Sequence, residues 1–163
     1  MRFGFRKSTQ PATAPAAVSP AHFDLGHRGE ALAVDHLRQS GYRIVAANFS
    51  LPIGRNLRGV IVNAEIDLVA YDGPTLCFVE VKTRASDDFA PPQRNVDLRK
   101  RRQISRAALA YRRMLGLTEA SYRYDVVTVV AKPEGPEPRI ELLKNFWSDA
   151  QLKKRKRYEN YWD

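Results

Sequence analysis

The stretch from Glu65 to Lys82 constrains the fold most. It holds two apolar-rich runs with β-branched residues, joined by Asp72-Gly73-Pro74-Thr75. A turn composition between two such runs specifies a β-hairpin. With the turn centred on Gly73 and Pro74, Tyr71 faces Leu76, Val69 faces Phe78, Asp67 faces Glu80 and Glu65 faces Lys82. Strand side chains alternate between faces, so the four charged groups project from one side of this ribbon. Ile66, Leu68, Ala70, Cys77, Val79 and Val81 project from the other, as a continuous apolar face.

The same register sets two carboxylates against each other. Directly opposed residues on antiparallel strands have Cβ atoms roughly 5 Å apart, and like charges there are unfavourable. At an effective dielectric of about 20, the repulsion is roughly 3 kcal/mol. A fold tolerates this if one group keeps its proton or a cation sits between the two. Glu65, Asp67, Glu80 and Lys82 together leave a formal surplus of two negative charges. A divalent cation neutralises that, and Mg²⁺ characteristically takes one or two carboxylates plus water and phosphate oxygens. The plainer alternative is a cross-strand Glu65–Lys82 salt bridge, with Asp67 and Glu80 solvated at a sheet end.

Asp67 followed by Glu80-Val81-Lys82 resembles the PD-(D/E)xK nuclease pattern. Gly29-Glu30, Glu65-Ile66-Asp67-Leu68, Phe78-Val79-Glu80-Val81-Lys82-Thr83-Arg84 and Tyr124-Asp125-Val126-Val127 together resemble the YraN family (UPF0102). That family is described as predicted endonucleases distantly related to archaeal Holliday junction resolvases. The resemblance runs from about Leu25 to Trp147. It implies a three-layer α/β/α, restriction-endonuclease-like fold around a mixed sheet. It also implies Mg²⁺- or Mn²⁺-dependent cleavage of DNA phosphodiester bonds, in branched or otherwise structured DNA. Glu30, Asp67, Glu80 and Lys82 become the catalytic candidates, with Asp67, Glu80 and the Val81 carbonyl as metal ligands and Glu65 supporting them. The family pattern has glycine before Glu65, where this chain has Ala64, and the segment Leu51–Asn63 is longer than the usual connection.

Composition narrows the partners. The chain of 163 residues carries a net charge of +9. That balance favours an acidic partner such as nucleic acid, DNA in the first place. Cys77 is the single cysteine, which excludes an intrachain disulfide and argues against a cysteine-based zinc site. Alternation makes Cys77 a small buried hydrophobe. No apolar run approaches the roughly 20 residues of a membrane helix, and residues 1–21 lack the apolar core of a secretory signal. A cytoplasmic protein with no membrane partner is expected; a homodimer is left open.

Residues 1–21 read as a basic Pro/Ala-rich tail, 22–150 as the nuclease-like domain and 151–163 as a basic aromatic arm. A first helix is expected over Leu25–Ser40, capped by Asp24 and stopped at Gly41. Ala33, Val34 and Leu37 follow Glu30 at helical spacing, which puts Glu30 on the stripe facing the sheet. His22, His27 and His36 show no metal-ligand spacing. Tyr42–Phe49 reads as a strand, and Leu51–Asn63 as a loop in its first half, with a strand beginning near Gly59. Thr83 and Arg84 finish the Glu80 strand. A second helix over Val96–Leu115, capped by Asn95 or Asp97, has an apolar stripe of Ile104, Ala107, Ala108, Tyr111 and Leu115. Lys100 and Gln103 extend that stripe towards the carboxylates. Arg99, Arg101, Arg102, Arg106, Arg112 and Arg113 make the helix basic; with Arg84, Lys100 and Gln103, Arg99 is a candidate for phosphate contact. Tyr122–Ala131 reads as a central strand with Asp125 structural, and Arg139–Leu143 as a further strand. The alternative to a nuclease is a nucleic-acid-binding module of the same fold without turnover.

Overall fold

The computed structural model describes residues 20–85, 96–131 and 137–154, with side chains for 25–85, 96–131 and 137–153. The elements are α1 (Pro20–Gln39), β1 (Arg43–Arg55), β2 (Ile61–Asp72), β3 (Thr75–Arg84), α2 (Leu98–Met114), β4 (Tyr122–Val130), β5 (Arg139–Trp147) and α3 (Asp149–Lys154). The strands form one sheet in the order β1-β2-β3-β4-β5. Every pairing is antiparallel except β3 with β4, which is parallel. A parallel pair needs a long crossover, and α2 lies in it.

The two larger helices cover opposite faces. Ala33 and Leu37 of α1 pack with Leu68, Ala70, Cys77, Val79 and Val127. Ile104, Ala107, Ala108 and Tyr111 of α2 pack with Val69, Phe78, Tyr124 and Val126. The chain thus has an α/β fold in three layers around a mixed sheet, consistent with a restriction-endonuclease-like fold.

Helix ends follow local chemistry. Asp97 caps α2, its Oδ1 accepting from the Lys100 N–H at 2.7 Å. Asn95 lies outside the described residues, as do residues 1–19 of the expected tail and 155–163 of the expected arm. The helix α1 starts at Pro20 rather than Leu25, so Asp24 lies inside it and is not its cap; proline is at home in a first helical turn. Gly41 ends α1 at φ 87°, with Tyr42 N–H donating to Leu37 C=O at 2.9 Å.

The expected hairpin forms with the expected register. Tyr71 pairs with Leu76, Val69 with Phe78 and Leu68 with Val79. Beyond Leu68/Val79 the two strands separate. β2 continues to Ile61 against β1, while β3 continues to Arg84 against β4. The sheet therefore forks at Asp67 and Glu80.

The continuous apolar face is corrected at the same point. Ala64 and Ile66 pack in the core under α2, whereas Leu68 packs under α1. Two residues, Asp67 and Leu68, thus separate Ile66 from Val69 on the α2 side, where regular alternation allows one. β1 changes face in step: Ala46 and Phe49 both pack towards α2, and between them Asn48 adopts φ 50°. Asn is among the few side chains that tolerate this conformation.

Leu51–Arg55 is strand, not loop. β1 runs on through Pro52 and Gly54, paired with β2 as far as Arg55/Ile61, with a register shift between Pro52 and Gly54. Pro52 sits beside a bulge on the sheet's edge strand, where a missing N–H is tolerated. Leu51 and Ile53 pack on the α2-side core, which overrides the loop-like composition. β5 likewise runs on to Trp147, whose ring stacks on Tyr124 at 4.8 Å.

Candidate active site

Glu80 is the centre of the fork. Only 1% of it is exposed, yet it is a carboxylate. Buried charges are kept by partners, and two lysines supply them. Lys82 Nζ donates to Oε1 at 2.6 Å, and Lys100 Nζ lies 3.2 Å from Oε2. Lys82 comes from the same strand two residues on, which puts it on the same face. Lys100 comes from the first turn of α2, held over the fork by the Asp97 cap. Oε2 is buried, and the Lys100 ammonium is its ion-pair partner.

Asp67 completes the cluster from β2. Its carboxylate reaches across the fork, where Oδ2 accepts the Val81 N–H at 2.7 Å. Burial and then repulsion by Glu80 push its pKa up from 3.8 to about 7, against the Val81 N–H, Lys100 and Lys82. Burial alone would lower the Lys100 ammonium; Glu80 and Asp67 outweigh it and raise the pKa. Asp67 and Glu80 thus share one side of the fork close enough to oppose each other's ionisation.

Other predicted residues fall in different places. Glu65 lies between Ala64 and Ile66 in a regular stretch of β2, so it points to the opposite face from their core, and Lys82 reaches Glu80 instead. The expected alignment of four charges on one face is therefore three plus Lys100. With Lys100 present, Asp67, Glu80 and the two lysines balance formally. Glu30, half-buried on α1, accepts from Asn48 Nδ2 at 3.1 Å. It stands at the rim where β1 changes face. Among the described residues, no three His, Cys, Asp or Glu side chains are gathered closely enough to hold a metal ion together. Asp67 and Glu80 remain the pair a cation fits: it would relieve the repulsion on Asp67 and compete with Lys100 for Glu80 Oε2.

Asn48 and Gly29 were not singled out for this site by sequence reasoning. A Cβ at Gly29 would overlap Thr83 Oγ1, so the glycine lets α1 approach β3 and carries Glu30 to the rim. The Gly29-Glu30 pairing was the available signal; nothing marked Asn48.

The basic helix divides in two. Arg99, Arg102, Arg106 and Arg113 are exposed, and Gln103 is half-buried. Arg101 and Arg112 turn inward. Arg101 Nε donates to Val96 C=O at 2.7 Å with its guanidinium 5.0 Å from the Phe146 ring centroid. Arg112 donates to Leu117 C=O and Thr118 C=O and lies 3.7 Å over the Tyr122 ring centroid. Arg55 is likewise structural, donating to Gly59 C=O at 2.7 Å. Arg84, half-buried, follows Lys82 on β3 and accepts the Ala131 N–H at its carbonyl.

Asp125 is structural, as expected, and belongs to a separate network. It is fully buried and accepts from Arg123 Nε at 2.9 Å, Tyr42 OH at 3.2 Å and the Asn145 N–H at 2.8 Å. Burial, and then the nearby Asp125, push the Cys77 thiol up to about 12, which leaves it an inert core residue.

No helix among the described residues is long and apolar enough to cross a membrane. Residues 29–129 match the model of the family described as "Uncharacterised protein family UPF0102". A UPF0102 protein of Koribacter versatilis is 38% identical over 134 residues, covering 82% of this chain and 86% of its own length. One from Geobacter metallireducens is 42% identical over 126 residues, covering 77% and 93%. One from Geobacter sulfurreducens is 43% identical over 127 residues, covering 77% and 90%. The chain belongs to the uncharacterised protein family UPF0102.

Proposed function

We propose that the protein is a Mg²⁺- or Mn²⁺-dependent endonuclease acting on DNA. One observation carries this reading: the buried Glu80, ion-paired by Lys82 and Lys100, faces Asp67, a second acid whose carboxyl is pushed up to about 7 by burial and Glu80. A structural ion pair has no need of the second acid. Two acids flanked by a lysine suit phosphodiester hydrolysis, which needs a cation at the phosphate and a proton acceptor at the water. Asp67 and Glu80, with the Val81 carbonyl, would hold the cation. When bound, it supplies Lewis-acid polarisation of the phosphoryl group and a lower pKa for water.

The chain's own groups do the rest. Lys82 orients the attacking water or stabilises charge growing on the phosphoryl oxygens as an ammonium, or takes the water's proton once it has given up its own. Lys100, poised on Glu80, moves to a phosphate oxygen when substrate enters, with Gln103 one turn along the same helix. Glu30, held by Asn48, steadies the rim. Arg84 and Arg99 contact the flanking backbone, which positions without reading sequence.

The decisive assay is nicking of linear, single-stranded and four-way-junction DNA with and without Mn²⁺. Lys82→Ala and Asp67→Asn are expected to abolish cleavage while keeping fold and DNA affinity; undiminished cleavage in both removes this site from consideration. The formal balance of Asp67 and Glu80 by Lys82 and Lys100 favours a second reading, a binding module without turnover. Such a module binds DNA identically with and without chelator and nicks none of the substrates.

A further inference from the structure

Beyond the fork, β1 and β2 leave the rest of the sheet as a two-stranded arm. Its base is anchored: Phe49 meets Tyr111 of α2 edge-on at 5.2 Å, and Leu51 and Ile53 pack on the same core. Its tip has no such burial. Leu57 is fully exposed, Val60 58% and Ile61 53%. A large apolar side chain held fully in water is the informative kind of exposure.

The tip is nonetheless built. Asn56 N–H donates to Val60 C=O at 2.9 Å, and Asn56 Oδ1 accepts the N–H groups of Arg58 and Val60 at 2.9 and 3.0 Å. Arg55 Nη1 closes the turn on Gly59 C=O, and Gly59 takes φ 76°. These bonds fix the backbone on both sides of Leu57, so the ordering cost of presenting it is already met. The turn from Asn56 to Val60 carries Arg58 and no acid, and the acid of the arm, Glu65, lies towards its base opposite Ser50. An apolar tip with a cation and no acid beside it suits a polyanion with an apolar interior. Stacked nucleic-acid bases between phosphate rails fit that description, and apolar wedges entered between base steps are an established way to recognise deformable sites.

Resting on the endonuclease reading, we propose that the β1–β2 arm is a DNA wedge: Leu57 enters a weakened base step while Arg58 pairs with a phosphate beside it. From Asp67 to Ile61 is six residues of strand, about 20 Å at ~3.3 Å per residue. That spans about six base pairs at ~3.4 Å each. With the arm laid along the helix axis, Leu57, in the turn beyond Ile61, meets the duplex about six or more base pairs from the phosphate at Glu80. Unstacking costs least where pairing is already interrupted, so the arm selects branched or nicked DNA.

The test is binding by the full chain in chelator, so that nothing is cut. The probes are a four-way junction carrying 2-aminopurine at the branch and a linear duplex of the same sequence. The wild-type protein is expected to brighten the junction probe and to prefer it about tenfold over the duplex. Leu57→Ser, an exposed change, is expected to abolish brightening and preference while duplex affinity stays within about twofold. Arg58→Gln is expected to weaken both equally and to reduce the salt slope by about one. An unchanged Leu57→Ser, absence of brightening by the wild type, or an effect of Leu57→Ser confined to self-association in sedimentation would overturn the wedge. Lys82→Ala separates the two readings. If it still cleaves, the assigned site fails, whereas a lost brightening in Leu57→Ser concerns the arm alone.

Discussion

Asp67→Asn separates the chemistry of the fork from its stability. Burial and Glu80 push the Asp67 carboxyl up from 3.8 to about 7. The folded chain then holds this proton more tightly than the unfolded chain does. Its stabilising contribution is complete below about pH 4 and is lost as pH rises through about 7. At pH 5 the unfolded carboxyl is already ionised while the folded one retains its proton. Two pH units below the folded value amount to about 2.7 kcal/mol at ~1.36 kcal/mol per unit. Partial screening of a half-buried group brings this to about 1–3 kcal/mol, and by pH 8 almost nothing remains. The D67N amide keeps an oxygen for the Val81 N–H but does not titrate. Urea unfolding at pH 5, 6, 7 and 8 is the assay. Wild-type stability should fall by about 1–3 kcal/mol more than that of D67N over this range, with D67N the more stable at pH 8. Parallel pH profiles for the two proteins would refute the repulsion on which the site reading rests.

Three further outcomes follow from packing and pairing. Gly29→Ala forces a Cβ into Thr83 Oγ1 and should cost about 1–3 kcal/mol in thermal unfolding, with Thr83→Ala recovering part of it. Arg112→Ala takes the Arg112 donor from the Thr118 C=O, leaves the Leu117 C=O with the Ala120 N–H alone, and removes the cation–π contact to Tyr122; about 1–3 kcal/mol should be lost in urea unfolding. Asp125→Ala takes the acceptor from the Tyr42 hydroxyl and the Asn145 N–H and leaves Arg123 with Asp72 and Tyr42, and should cost about 1–3 kcal/mol without involving the fork. An Asp125→Ala protein that unfolds like wild type would show that the network adds nothing to stability.

Much of this architecture was legible in the chain because turn and alternation act together. Gly73-Pro74 fixed where the hairpin turns, and the register from Tyr71/Leu76 to Leu68/Val79 follows from that. The stripe through Ile104 and Ala107 placed Lys100 over the carboxylates, where it meets Glu80. The inward turn of Arg101 and Arg112 was not legible. A run of arginines reads as a solvated face, but a long side chain can fold back onto carbonyls and rings of its own neighbourhood. The arm was hidden by Pro52, Gly54 and Gly59, a loop-like composition that its apolar partners under α2 override.

The face change at Asn48 and Asp67 was the deepest omission, because alternation carries no sign of where it stops. Yet the cause was in the sequence. Continuing the hairpin would oppose Asp67 and Glu80 directly, at roughly 3 kcal/mol of repulsion. The ladder ends one pair earlier, at Leu68/Val79, and the Asp67 side chain takes the Val81 N–H, which eases the repulsion without removing it. Once the ladder ends there, β2 follows β1 outward and β3 follows β4, so the space between them holds the acids and the lysines. The charge conflict and the cleft are one feature: a chain with an apolar residue at either acid has no reason to open its sheet at that pair.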